Sequence, residues 1–218
     1  MVLFLKRQSP KCAPGKTEIR RRVLSLLQYL YGGISRGKIL TSDKVTFFAS
    51  GISSVIHPRN PHVPTIHFNY RYFEVTEENG AKQAWFGGGT DLTPYYLDEE
   101  DCRHFHSTLK DACDTHDKEL YLKFKKWCDD YFVVAHRGER RGVGGIFFDD
   151  LEEPTAEDAF RFLQSCAHAV IPSYVPLVEK NKDKLYTPAQ REWQLLRRGR
   201  YVEFNCKFLH CLIRASHV

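Results

Sequence analysis

The stretch Thr65-Ile66-His67-Phe68-Asn69-Tyr70-Arg71-Tyr72-Phe73-Glu74-Val75 constrains this chain more than any other. Ile66, Phe68, Tyr70 and Tyr72 alternate with His67, Asn69, Arg71 and Phe73, and a period of two is the pattern of a strand with two distinct faces. Glu77-Glu78-Asn79-Gly80 follows as a turn, and Lys82 to Phe86 reads as the returning strand of a hairpin, ending at Gly87-Gly88-Gly89. The chain is therefore organised around antiparallel pairing, and one face of its first long strand is polar.

Further extended runs are expected at Val45 to Ala49, Ser54 to His57, Gly144 to Asp149 and Arg200 to Asn205. Two helices are predicted between them: Asp98 to Thr115, with Cys102, Phe105, Leu109 and Cys113 inward, and Lys118 to Arg137, with Tyr121, Phe124, Cys128 and Phe132 inward. Thr155 to Asp158 resembles a capping box that opens a helix through Ala169, and Thr187-Pro188 opens another containing Trp193 and Leu196. A short helix at Ile19 to Tyr31 is the only periodic feature of residues 1 to 33. Hairpin-connected strands interrupted by helical blocks predict an α+β domain with a largely antiparallel sheet covered by helices, not a regular βαβ array.

Charge and apolar runs exclude some functions. Before residue 41 there are nine Lys or Arg against the single acid Glu18, so of a net charge of +5 the remainder carries about −3. The main body does not have the charge of a nucleic-acid binder. No run reaches the ~18 apolar residues of a membrane span, and the longest candidate, Val23 to Tyr31, is broken by Ser25 and Gln28. The Arg-rich start is open to two readings, an organelle transit segment or an arbitrary leader. Seven cysteines without a Cys-x-x-Cys suggest neither a disulfide framework nor a zinc ribbon.

His67, Asn69 and Arg71 project in one direction about 7 Å apart. A solvated face would look the same, but Asp91 after three glycines has no packing rationale, and pairing of the two strands is expected to carry it near Arg71. The segment Ser53 to Pro64, stiffened by Pro58, Pro61 and Pro64, bears Ser53, Ser54, His57, Arg59, Asn60 and His62, and is either an anion-binding rim or a solvated loop. His104 and His106, two apart on a helix, point about 200° away from one another, which argues against a shared metal. The basic runs His136-Arg137-Gly138-Glu139-Arg140-Arg141 and Arg197-Arg198-Gly199-Arg200 either bind carboxylates or are solvated helix ends.

The run Ser53-Ser54-Val55-Ile56-His57-Pro58-Arg59-Asn60-Pro61-His62-Val63-Pro64-Thr65-Ile66-His67-Phe68-Asn69-Tyr70-Arg71 closely resembles the oxygen-dependent coproporphyrinogen oxidases. Trp85 to Pro94, Lys125 to Phe132, Gly144 to Leu151 and Arg197 to Asn205 match that family too, in its order. The resemblance implies a flat antiparallel sheet sandwiched between helices, a homodimer, and conversion of two propionates of coproporphyrinogen III to vinyl groups, giving protoporphyrinogen IX with O2 as oxidant. It also implies Ser53 and Asn69-Tyr70-Arg71 as substrate contacts, His67 as proton donor and Asp91 as an essential acid. Arg71 suits a bidentate grip on a propionate, and Asp91 suits an acceptor that orients pyrrole N–H groups and stabilises developing positive charge. Members of the bacterial branch are assigned metal ligands at positions matching His57, His106 and His136. The wording of this chain is closer to the metal-free, cofactor-free members, with O2 as co-substrate and a mitochondrial (intermembrane space) or cytoplasmic location.

The resemblance spans residues 44 to 205 and leaves 1 to 43 as a divergent basic segment and 206 to 218 as a divergent tail. The family's dimer segment is not recognisable in that tail. The expectation is an incomplete form of the fold that does not make the normal dimer, with an inactive tetrapyrrole-binding or regulatory variant as the alternative function.

Overall fold

The computed structural model describes residues 45–77 and 79–215, so the helix expected at Ile19 to Tyr31 and the basic segment 1–43 lie outside the described residues. Three long strands follow one another: β1 (Val45–Ile56), β2 (Thr65–Glu77) and β3 (Lys82–Thr93). After them come α1 (Glu99–Asp114), α2 (Leu120–Tyr131), the short strands β4 (Val133–Val134) and β5 (Glu139–Arg140), β6 (Gly144–Leu151), α3 (Ala156–Asn181) and α4 (Pro188–Ala215). The main sheet has the order β1-β2-β3-β6 with every neighbour antiparallel, and β4 pairs with β5 as a separate hairpin. The α+β architecture expected from the sequence is the one observed.

The strands are longer than local pattern suggests. Val45 to Ala49 and Ser54 to His57 join into one strand, paired residue for residue with β2 from Val45↔Glu77 to Ile56↔Ile66. Gly51 occupies the middle of that strand, where a Cβ would stand 2.8 Å from the Tyr70 carbonyl oxygen and 3.0 Å from the Arg71 Cβ. Likewise β3 does not stop at Phe86 but runs on through the glycine triplet to Thr93, because β2 and β6 pair with it from both sides. Pairing on two edges outweighs the weak intrinsic strand preference of glycine.

The even-numbered face of β2 meets the core. Ile66, Tyr70, Leu92, Ile146 and Phe148 of the sheet pack with Phe105 and Leu109 of α1, Tyr121 and Phe124 of α2, and Phe162, Cys166 and Leu177 of α3. In α1 the buried stripe is Asp101, Phe105, Leu109 and Cys113, with Asp98 capping the helix through the Glu100 and Asp101 amides. Asp101 thus takes the inward position expected of the half-exposed Cys102. It is held there by Lys180 Nζ at 2.8 Å and Asn181 Nδ2 at 2.7 Å, which satisfy a carboxylate that would otherwise be costly to bury.

Three helix boundaries depart from expectation. The second helix ends at Tyr131, well short of Arg137, because the β-branched Val133-Val134 enter the β4–β5 hairpin, whose turn uses Gly138 at φ +63°. The Thr155-capped helix continues past Ala169 through Pro172 and Pro176 to Asn181. Pro176 has no N–H to offer the carbonyl four residues back, and that carbonyl, Pro172 O, accepts from His104 Nε2 at 2.9 Å. Arg200 to Asn205, expected as extended, is helical and continuous with α4. Helical spacing puts the buried Gln194 and Tyr201 on the same side of α4, and that burial decides against the alternation.

Candidate active site

Registration of β1, β2, β3 and β6 lines up the odd-numbered residues of β2 on the face away from the main core. Ser53 stands opposite Asn69, Asn69 opposite Gly89, and Gly89 opposite Phe147. One step along, His67 stands opposite Asp91, and in the other direction Arg71 stands opposite Gly87. His67, Asn69, Arg71, Ser53 and Asp91 therefore share one face. Tyr70 does not: its ring is 4% exposed in the core, and its hydroxyl contacts Thr90 Oγ1 at 2.6 Å and donates to Cys166 O at 2.9 Å. An adjacent residue in a strand points to the opposite face, so the side chain of Tyr70 supports the floor from behind.

Asp91 is not beside Arg71. Four strand residues, about 13 Å, separate the position opposite Arg71 from Asp91, and each charge has a different partner. Asp91 Oδ1 lies 2.6 Å from His67 Nδ1, and Arg141 Nη2 donates to Oδ1 at 2.8 Å and to Oδ2 at 2.7 Å. Arg71 Nη2 pairs with Asp149 Oδ2 at 2.9 Å, while its Nη1 donates to Asn69 Oδ1 at 2.7 Å.

The Asp91 cluster is closed. Burial alone pushes the Asp91 carboxyl up, but the Arg141 guanidinium and His67 beside it outweigh that and hold it below the usual carboxylate range. Asp91 is thus ionised, and its acceptor role requires the proton of His67 to sit on Nδ1. Nε2 is left as the ring atom that can take or give a proton. The same tautomer means that the 3.3 Å approach of Arg141 Nη2 to His67 Nδ1 is a contact between two donors, not a hydrogen bond. Arg141 lies between two rings, its guanidinium carbon 3.8 Å from the Phe132 centroid and 4.6 Å from that of Tyr201. Asp91 is 3% exposed with both oxygens occupied, which does not suit direct acceptance of a ligand N–H. Its geometry is that of a group acting through His67.

The stiff loop after β1 is tied to helices instead of forming a free rim. Asn60 Nδ2 donates to Lys182 O and Lys184 O, Gln194 Nε2 donates to Pro58 O, and Arg191 Nη1 to Arg59 O. His57, His106 and His136 are each engaged separately. His57 Nδ1 contacts Thr65 Oγ1 at 3.1 Å, His106 bonds the Val143 carbonyl and the Tyr121 hydroxyl, and His136 contacts Glu203. Among the described residues no group of three or more His, Cys, Asp and Glu side chains is placed to hold a metal ion.

Sequence reasoning missed Arg141, Asp149 and Tyr201. The signal for Asp149 was an acid directly after the apolar run Ile146 to Phe148, in the same strand. Arg141 was visible only as one of several cations in a basic run, and Tyr201 was hidden by the wrong assignment of its segment.

A family model described as coproporphyrinogen III oxidase matches residues 25–210. The chain belongs to that family. Over 173 residues, 78% of this chain and 38% of the relative, it is 69% identical to a human protein named oxygen-dependent coproporphyrinogen-III oxidase, mitochondrial. It is 68% identical over 172 residues to the Drosophila melanogaster oxygen-dependent coproporphyrinogen-III oxidase, covering 78% of this chain and 44% of that one. A soybean chloroplastic member of the family is 59% identical over 165 residues, 74% of this chain and 43% of the relative. The chain spans less than half the length of these relatives. Among the described residues no helix is long and apolar enough to cross a membrane.

Proposed function

We propose that this chain carries the substrate-facing side of an oxygen-dependent coproporphyrinogen III oxidase, which converts two propionates of coproporphyrinogen III to vinyl groups. The observation that carries the reading is the placement of Arg71 and of the His67–Asp91 pair on one face of the sheet, with Gly89 on the neighbouring strand between them and Gly87 opposite Arg71. A floor with few side chains accepts a planar ring system, with a peripheral carboxylate at one end and a proton-transfer group at the other.

Each propionate, –CH2–CH2–COO⁻, becomes –CH=CH2, CO2, one proton and two electrons. Two such steps supply the four electrons and two of the four protons that reduce one O2 to two waters, the other two protons coming from solvent, so no further oxidant is required and O2 is the co-substrate. Arg71 anchors a propionate that is not reacting, since a charge-assisted grip favours the carboxylate whose charge departing CO2 must give up. His67, through Nε2, moves the proton released from the side chain toward reduced oxygen. Asp91 is a positioning residue that fixes the orientation and tautomer of His67, and Arg141 in turn fixes Asp91. Ser53 and Asn69 line the floor between the two groups as further contacts. We place the reaction in mitochondria, in line with the mitochondrial designation of the human relative, and with no metal or organic cofactor.

The test is incubation of the chain with coproporphyrinogen III with and without air. The reading expects CO2 release and protoporphyrinogen IX only in air, and aerobic incubation with neither product refutes it.

A further inference from the structure

Arg71 and Asp149 are joined across an intervening strand. Arg71 belongs to β2 and Asp149 to β6, two inter-strand spacings or roughly 9.6 Å apart, and β3 runs between them. The side chains meet above Gly87. A Cβ there would lie 2.4 Å from Asp149 Oδ1, 2.8 Å from Arg71 Nε and 3.0 Å from Arg71 Cζ, so this glycine of the triplet is the notch in which the ion pair sits.

Asp149 is also held from behind. Its Oδ1 accepts from the Asp150 amide at 3.1 Å, and Asp150 takes the left-handed backbone conformation, φ +53°, that Asp tolerates better than most residues. Its side chain is 5% exposed against 19% for Arg71, so Arg71 is the partner a ligand can reach. A second guanidinium, Arg141, is 3% exposed and already spans both oxygens of Asp91. Among the described residues Arg71 and Arg141 are thus each matched by a buried anion. Of a guanidinium's five N–H donors, one on Arg71 goes to Asn69 and one nitrogen faces Asp149 as an ion pair, which leaves donors for a ligand.

We propose that Asp149 makes Arg71 selective: it cancels the guanidinium's charge and fixes its plane, so that a small free anion is weakly attracted while a flat ligand bearing several carboxylates, supported by the sheet floor, uses the remaining donors. This rests on the reading of Arg71 as a carboxylate anchor, and it assigns the specificity of that anchor to a residue that touches no ligand.

The test is calorimetric titration of the 218-residue chain and its variants with glutarate, a small dicarboxylate, and with coproporphyrin III, the stable oxidised tetracarboxylate. For Asp149→Asn, glutarate should bind at least ten-fold tighter and coproporphyrin III no tighter, so the preference for the macrocycle falls ten-fold or more. Asp149→Glu keeps the charge and should stay within three-fold of the original protein. Gly87→Ala drives the two partners apart without removing either, and it should raise glutarate affinity in the same direction, which covers the case of an Asn variant that does not fold. Unchanged glutarate affinity in a folded Asp149→Asn or Gly87→Ala variant overturns the proposal, as does a Glu variant that behaves like Asn. Failure of the original protein to bind coproporphyrin III would instead refute the proposed function, and the glutarate comparison would still read the restraint on Arg71.

Discussion

Asp91 and Arg141 meet at 2.7 Å with 4% and 3% of their side chains exposed, and they do so across a sequence separation that no local pattern connects. Removing one partner of such a pair leaves a charge buried without compensation. Arg141→Met is expected to destabilise the chain by about 3–5 kcal/mol, read from urea denaturation. A loss below about 1 kcal/mol would mean that water reaches Asp91 after all.

Asp91→Asn keeps the shape of the side chain and removes the charge that fixes His67. If the chain acts as proposed, its turnover of coproporphyrinogen III falls about 100-fold or more in this variant, with coproporphyrin III binding retained. Near-normal turnover would take Asp91 out of the mechanism, and lost binding would make it part of the ligand surface.

Two glycines should respond in opposite directions. At Gly145 a Cβ would fall 1.9 Å from the backbone oxygen of Thr90 in the paired strand, so Gly145→Ala must push strands apart and should cost about 1–3 kcal/mol or more. At Gly199, inside α4, a Cβ meets nothing within 4 Å. Gly199→Ala is expected to stabilise by up to about 1 kcal/mol through helix propensity. Thermal denaturation of the pair checks both signs.

Stability should fall with acidification below about pH 6.5. Burial, then the charge of Arg198, lowers the His57 pKa from its ordinary 6.5, and burial, then Lys125, lowers that of His106. Below the ordinary value the unfolded chain binds protons that the folded chain refuses, so unfolding gains as pH falls through this window. His106→Gln should flatten part of that slope in denaturation midpoints measured on either side of it. An unchanged slope would show that His106 is not a source of it.

Glu203 fastens α4 to the β4–β5 hairpin, contacting Arg137 Nε at 2.6 Å, Arg137 Nη2 at 2.7 Å and His136 Nε2 at 3.0 Å, and these contacts pull its carboxyl down to about 2. The pairs are solvent-exposed, so salt screens them. Glu203→Gln is expected to speed amide exchange around Tyr201 several-fold with little change in the global denaturation midpoint, and added salt should do the same to the unmodified chain. Exchange rates insensitive to both changes would show that apolar contacts alone hold α4 down.

Much of this arrangement was legible in the order of residues. The alternation of β2 gave its two faces, the caps at Asp98, Thr155 and Thr187 marked helix starts within a residue or two, and the polar set His67, Asn69 and Arg71 did come to lie together. The failures have a common cause. Val133-Val134 end a helix that local spacing would continue, Pro172 and Pro176 do not end one, and Arg200 to Asn205, whose alternation predicts a strand, is helical. In each case contacts with distant residues outweighed local propensity, which is a few tenths of a kcal/mol for an ordinary residue and about 3 kcal/mol for a proline inside a helix.

What the sequence determined by itself was periodicity, and with it the class of fold and the face on which the polar residues of β2 stand. What only tertiary structure decided was pairing: that Asp91 belongs to Arg141 and His67, that Arg71 belongs to Asp149, and that Gly87 is the space in which the second pair closes. Side-chain direction is fixed by the local backbone, whereas the choice of partner for a buried charge depends on strand register and on which distant element supplies the opposite charge.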